Sequence, residues 1–387
     1  MSVSAAPLRE STETAGTQQQ LWLRNRNWDL LYITFSVVLV PLPYLVYLFG
    51  VHFGGLNEDL SRNLVNGFVA VAIGGPHMMS TFLRTGLDDN FRQRYPMLLR
   101  SSIIIPIVVV SLAFLNLTLL LTVFFFWAAM HVLHQVTYIV ELYNHKEHNY
   151  VRPNTTLSLQ SRAIDYAVVL TSIFPFAALK VSQGSFDIGT NDLASVIPGF
   201  FQASWFFILM TTIFSISFVA YVVKTYKEYR DGTINWPKTV FVTFTVLISF
   251  TIPMLPNLDT AFQGLNTWHS FQYLGITFYI IKLKQHYGKL DDDAPLVARF
   301  SKGSKDARGL YALSTMMLVG SAAIFIVVFA VANMVTPGNI APEHVNLWRF
   351  DVAYYTSILS FLWIHYYHDH FLFTDFEALD DAQYGNI

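Results

Sequence analysis

Cysteine is absent from this 387-residue chain. That absence excludes disulfides, thiolate metal sites, iron–sulfur clusters and cysteine nucleophiles, and it leaves imidazole and carboxylate as the strong metal ligands on offer, which suit iron, manganese, copper or zinc. Charge is scarce too. Asp, Glu, Lys and Arg make up 13% of the residues, where an ordinary soluble domain carries roughly 25%. A formal net charge of -2 lacks the basic field that phosphate backbones demand and so excludes a nucleic-acid partner. The first 20 residues are rich in Ser, Thr, Ala and Gln, with Arg9 as their one positive charge and no apolar core. They read as a disordered tail, not as a signal peptide.

What is present is apolar length. Hydrophobic residues account for 53% of the chain, and they gather into segments at about 28–50, 63–83, 101–116, 119–142, 163–180, 199–223, 238–256, 261–282, 309–335 and 347–371, each near the length of a hydrocarbon core. The expected fold is all-α, a polytopic membrane helical bundle of about ten transmembrane helices. Residues 21–375 form one transmembrane domain, and 376–387 form an acidic tail. Lysine and arginine cluster in alternate loops: Arg84 to Arg100, Lys146 to Arg162, Lys224 to Lys238 and Lys282 to Arg308. The opposite loops carry almost none, so both termini are expected in the cytoplasm of a multi-pass protein of the cell membrane, the inner membrane if bacterial.

The chain has 12 histidines, and half of them fall in three places: His131-Val-Leu-His134, Trp268-His269-Ser-Phe-Gln272 and His365-Tyr-Tyr-His368-Asp369-His370. An ionisable side chain inside a bilayer is costly and rarely stays without a task. The topology puts His77, His131, His134, His365 and His368 in the cytoplasmic halves of their spans and His269 near the middle of its own. On the fourth span His131, His134, Tyr138 and Glu141 follow i, i+3, i+7, i+10, one helical stripe. On the tenth, His365, His368 and Asp369 share a face, whereas His370 lies about 140° from His365. His77 aligns with Thr81 and Arg84, and His269 aligns with Gln272 and Tyr273. Gln135, Gln272 and Arg84 are expected beside the ligands, the glutamines holding an imidazole N–H or a water.

Plainer readings stand beside these. A lone membrane histidine such as His77 also serves as an interhelical hydrogen bond. His145 and His148 lie in a charged loop, and spacing leaves open whether they or His370 are ligands. His52 and His344 fall in outer loops, and His286, beside Lys284, faces headgroups. Phe124 to Trp127 read as lipid-facing or packing aromatics that would also line an apolar tunnel. The loop from Lys282 to Arg308, basic at both ends around Asp291-Asp-Asp293, is either a solvated loop or a dock for a cytoplasmic redox partner.

The clusters His131-Val-Leu-His134 and His365-Tyr-Tyr-His368-Asp-His370 resemble, in type and depth, the HxxxH and HxxHH clusters of the His-rich integral-membrane non-haem iron enzymes: desaturases, hydroxylases and bacterial membrane β-carotene dioxygenases. This chain has no adjacent His-His pair. Gly75-Pro76-His77-Met-Met-Ser-Thr81-Phe-Leu-Arg84, Trp268-His269-Ser-Phe-Gln272-Tyr273 and His365-Tyr-Tyr-His368-Asp369 are similar to motifs of a largely uncharacterised family of bacterial polytopic membrane proteins. The iron-enzyme resemblance implies an oxidoreductase that uses O2 to oxidise, desaturate or cleave an acyl lipid, hydrocarbon or carotenoid. It implies iron, a di-iron pair first, on His77, His131, His134, His269, His365 and His368. Glu141 or Asp369 would bridge or support the metal, and Tyr138 would donate a proton or an electron. Two alternatives stay open. Haem, on His131 or His134 with His365, or copper would serve electron transfer or gas handling. A proton- or ion-coupled transporter would use the histidines as a relay, with Gly74-Gly75-Pro76 breaking the second span.

Overall fold

A bilayer core offers no water to an unpaired backbone group, so a spanning segment must satisfy its own N–H and C=O groups, and a helix does so locally. The computed structural model describes residues 19–188, 191–256, 258–303, 306–335, 345–374 and 376, and it is helical almost throughout. Among these residues the only sheet is a pair of two-residue strands, Asp187–Ile188 and Asn191–Asp192. The tail expected over 1–20 and the acidic tail over 376–387 lie almost wholly outside the described residues, as does His344.

Among the described residues, seven helices are long and apolar enough to cross a membrane: Arg26–His52, Pro96–Leu115, Leu117–Val151, Leu159–Ser182, Ser204–Arg230, Trp236–Met254 and Arg308–Met334. Their outer faces carry large apolar side chains in the open, among them Ile216 and Val219 on one helix and Ile326 and Val327 on another. Water would penalise such surfaces, whereas acyl chains cover them. The remaining long helical segments run over residues 58–84, Leu258–His286 and Val345–Leu372. These three carry His77, His269 and His365, and their buried polar residues are what dilute their apolar character.

The chain divides into two compact units. One comprises Met1–Leu48, Met130–Thr190 and Ile197–Gln272; the other comprises Phe49–Ala129, Asn191–Val196 and Tyr273–Ile387. In the first, Leu159–Thr171 and Phe174–Ser182 pack on Ser204–Arg230, and Trp236–Thr251 packs on the π-helical turn Asp29–Thr34. Gly264 lets the Leu258–His286 helix run against the backbone at Val40, because a Cβ at that position would overlap the Val40 carbonyl oxygen.

In the second unit, Val345–Leu372 packs on Val319–Met334, Ile104–Leu115 and Gly75–Arg84. Gly74-Gly75-Pro76 does not interrupt the backbone. A π-helical turn, Ala70–Gly74, leads directly into Gly75–Arg84; Pro76 has no N–H to give the Ala72 carbonyl one turn back, and that carbonyl accepts from the Tyr311 hydroxyl instead. The stretch between Lys282 and Arg308 is helical at Leu290–Asp293 and Pro295–Lys302. Leu290, Ala294, Val297 and Ala298 are buried there against Leu83, Ile281 and Leu310. Asp291, Asp292, Arg299 and Lys302 are exposed on this packed helical connection.

Candidate metal centre

The site is built from helices that cannot expose their polar faces. On Gly75–Arg84 every residue but Phe82 is buried, His77 completely. Val345–Leu372 turns His365, His368 and Asp369 inward together, as the i, i+3, i+4 spacing requires. In this unit the His77 and His365 rings meet edge to face, with centroids 4.3 Å apart at 84°. Tyr273 stands edge-on to both, at 4.8 Å from His77 and 5.3 Å from His365.

A hydroxyl and a carboxylate hold the His365 ring. The Tyr273 phenol donates to Asp369 Oδ1 at 2.7 Å, and Thr81 Oγ1 donates to the same oxygen at 3.2 Å. Thr81 Oγ1 also touches His365 Nδ1, and Asp369 Oδ2 lies 3.4 Å from that nitrogen. With the Thr81 proton directed at the carboxylate, Nδ1 faces acceptors and carries the hydrogen. Nε2 of His365 is then the nitrogen with a lone pair to give, the arrangement in which a carboxylate fixes the tautomer of a ligating histidine.

In the first unit the His131 and His269 rings also meet edge to face, at 4.9 Å and 80°. His131 is 4% exposed and His269 2%. Beneath them Gln135 Nε2 donates to the His269 carbonyl at 3.1 Å and to Gln272 Oε1 at 3.3 Å. Gln272 Nε2 donates to the Ile33 carbonyl at 2.6 Å. Both glutamines thus brace backbone at this site. Each imidazole of His77, His131, His269 and His365 offers a nitrogen, and the four ligand atoms lie within 4.8 Å of one another. Two donors on opposite sides of one ion, each bound at ~2.0–2.1 Å, stand ~4 Å apart. A buried set of four imidazole nitrogens at this spread can hold a metal ion.

Other residues singled out by the sequence sit elsewhere. His134 is half-buried one turn beyond His131 and is outside the group of four. His368 is buried but engaged through both ring nitrogens, Nε2 with Ser102 Oγ at 2.8 Å and Nδ1 with Thr85 Oγ1 at 3.1 Å. Glu141 accepts from Arg162 Nε at 2.9 Å and Asn144 Nδ2 at 3.0 Å, which makes it half of an ion pair near the helix end. Tyr138 and Arg84 are buried two helical turns from His131 and His77. His145 contacts Asn149, His148 contacts Thr155, and His370 is exposed.

Tyr273 and Thr81 are the site residues whose roles sequence reasoning did not assign. Their alignment with His269 and His77 was the available signal, because a hydroxyl one turn beyond a buried histidine is placed to reach its neighbours. No family model, curated protein or solved structure matches this chain.

Proposed function

We propose that His77, His131, His269 and His365 together hold one iron ion in a membrane-embedded oxidoreductase that uses O2 to oxidise, desaturate or cleave a lipophilic substrate. The observation that carries this reading is the convergence of four buried imidazoles with ligand atoms within 4.8 Å. Iron held by neutral imidazoles keeps open positions and supplies oxygen-dependent oxidation. Four histidines support one ion more simply than a di-iron pair.

The residues around the group suit such chemistry. Asp369, Thr81 and Tyr273 fix the His365 ring so that it need not reorganise on binding. Burial of all four histidines keeps bulk water away. Beside His365, at 5.5 Å, Tyr366 begins an aromatic wall that continues through Trp127 at 5.8 Å to Trp363 at 5.1 Å. Such a largely apolar wall suits an acyl, hydrocarbon or carotenoid chain. The reading includes about ten spans with both termini in the cytoplasm and the cell membrane as location. Haem fits the same residues less well: imidazoles packed ring to ring at 4.3 Å and 4.9 Å leave no slot for a porphyrin.

Metal analysis and an absorption spectrum of detergent-purified protein test this, with His131→Ala and His365→Ala alongside. About one iron per chain, no Soret band and loss of iron in both variants supports the proposal. Zinc alone, haem, or an unchanged metal content in the variants sinks it.

A further inference from the structure

The polar residues at one end of the first unit form a site that the metal reading does not use. A cavity of about 250 Å³ is lined by Glu147, Arg152, Ser158, Glu228 and Lys238, with His148, whose Nδ1 is held by Thr155, and further polar side chains around them. Its walls come from residues 147–161 and 228–238. The first stretch joins the end of the Leu117–Val151 helix to the start of Leu159–Ser182; the second joins Ser204–Arg230 to Trp236–Met254. The cavity therefore sits where four candidate spans end, at the level of lipid headgroups.

Two features of its charge decide what it fits. The lining holds two cations, Arg152 and Lys238, and two carboxylates, Glu147 and Glu228. A bare anion or a bare cation meets both signs there and gains little. The charges are also unequally spent. Glu147 is used at both oxygens, by Arg152 Nη1 at 2.7 Å and Asn235 Nδ2 at 2.8 Å. Lys238 Nζ is taken by Asn144 at 2.9 Å and faces Asp165 at 3.5 Å. Arg152, in contrast, makes its bonds to Glu147 and to the Thr233 carbonyl through Nη1, so the N–H groups of Nε and Nη2 remain for an acceptor. Glu228 receives Ser161 Oγ at 3.2 Å and Lys224 Nζ at 3.3 Å, both at Oε1. Its Oε2 remains for a donor.

We infer that this cavity binds the headgroup of a zwitterionic phospholipid bearing a primary ammonium, with the phosphate on Arg152 and the ammonium on Glu228. An apolar groove of about 440 Å³ on two of those four spans, Ser204–Arg230 and Trp236–Met254, lined by Phe218, Tyr221, Tyr226, Tyr229 and Trp236, accepts the acyl portion. Tyrosine and tryptophan favour that depth of a bilayer. The groove favours a lipid over a free phosphoethanolamine as the source of this chemistry. The inference is independent of the metal centre.

The test is lipid retention by delipidated, detergent-purified full-length protein, read by native mass spectrometry after titration with phosphatidylethanolamine, phosphatidylcholine, phosphatidylglycerol or soluble glycerophosphoethanolamine. Wild type is expected to retain one phosphatidylethanolamine at concentrations at least about tenfold below those needed for phosphatidylcholine or phosphatidylglycerol, since an ammonium with N–H groups and a phosphate are both read. Arg152→Gln and Glu228→Gln should each weaken retention about tenfold or more. Thr156→Trp, which fills the exposed rim and removes no charge, should do the same, so a folding defect from a lost ion pair cannot stand in for a lost site. Equal retention of the three lipids, retention unchanged in all three variants, or glycerophosphoethanolamine binding as tightly as the lipid overturns the proposal. Metal content measured on the same samples is expected to be unchanged, which separates this outcome from failure of the metal reading.

Discussion

Asp369 and Tyr273 meet through a 2.7 Å hydrogen bond in which the phenol donates to the carboxylate, and both side chains are buried beside the His365 ring. The carboxylate in turn faces His365 Nδ1 at 3.4 Å. Asp369→Asn replaces one acceptor oxygen by an N–H and disrupts the arrangement that sets the tautomer of His365. Loss of such a supporting partner typically lowers metal affinity ~10–100-fold without removing a ligand. Competition against a chelator of known affinity should show that drop for Asp369→Asn and a smaller one for Tyr273→Phe. Equal affinity in Asp369→Asn and wild type would show that the carboxylate serves packing alone.

The four histidines and their neighbours in sequence should separate cleanly. His77→Ala or His269→Ala is expected to abolish stoichiometric metal, whereas His134→Ala and His368→Ala should retain it. His368→Ala still carries a cost, because Ser102 and Thr85 each lose a buried hydrogen bond while keeping those to the Leu98 and Thr81 carbonyls, a net loss of ~0.5–1.5 kcal/mol per bond. Metal content together with thermal unfolding in detergent reads both effects. Loss of metal in His368→Ala with His77→Ala still loaded would reverse the assignment.

Why sequence alone left that choice open is visible in His368. Helical spacing places His365, His368 and Asp369 on one face, and the structure has all three buried on that face. What divides them is the side chain opposite each, a carboxylate and threonine at one ring and Ser102 with Thr85 at the other. Nothing in the spacing of residues 85 and 102 marks those hydroxyls as partners. Gln272 is similar: its alignment with His269 was legible, but its acceptor is the Ile33 carbonyl, on a π-helical turn that no apolar period announces. The apolar segments were the more legible part, since hydropathy depends only on neighbours along the chain. The Lys282–Arg308 stretch was less so, because its short helices hide a few buried apolar residues among many charges.

Buried charge away from the histidines gives a stability prediction. Asp165 is 1% exposed and bonds Lys224 Nζ at 2.6 Å, with Lys238 Nζ at 3.5 Å. Asp165→Asn leaves the buried Lys238 ammonium without its counter-charge and Lys224 with the more exposed Glu228 alone, and breaking one side of such a buried pair costs ~3–5 kcal/mol. Asp231, half of the exposed pair with Arg230, is the control: Asp231→Asn should change stability by less than ~1 kcal/mol. Thermal unfolding monitored by intrinsic fluorescence would show a large shift for the first and almost none for the second. Similar shifts for both would mean that the Lys224 network is hydrated and not buried.

Topology can be read without background labelling, because the chain has no cysteine and each introduced one is the only thiol present. Asn57 and Asp89 flank the helical stretch over residues 58–84, which is not among the seven most apolar helices. If that stretch crosses the bilayer, Asn57→Cys and Asp89→Cys react with a membrane-impermeant maleimide from opposite sides. A stretch lying in the interface would leave both on one side. The burial of nine of the ten residues of Gly75–Arg84 favours crossing, since an interfacial helix would keep one face in water. Asp231→Cys, after a highly apolar span and among Lys227 and Arg230, should react from the same side as Asp89→Cys, as the charge distribution requires. Labelling of Asn57→Cys and Asp89→Cys from the same side would remove His77 from any site at membrane depth, and with it the reason for placing the metal among spanning helices.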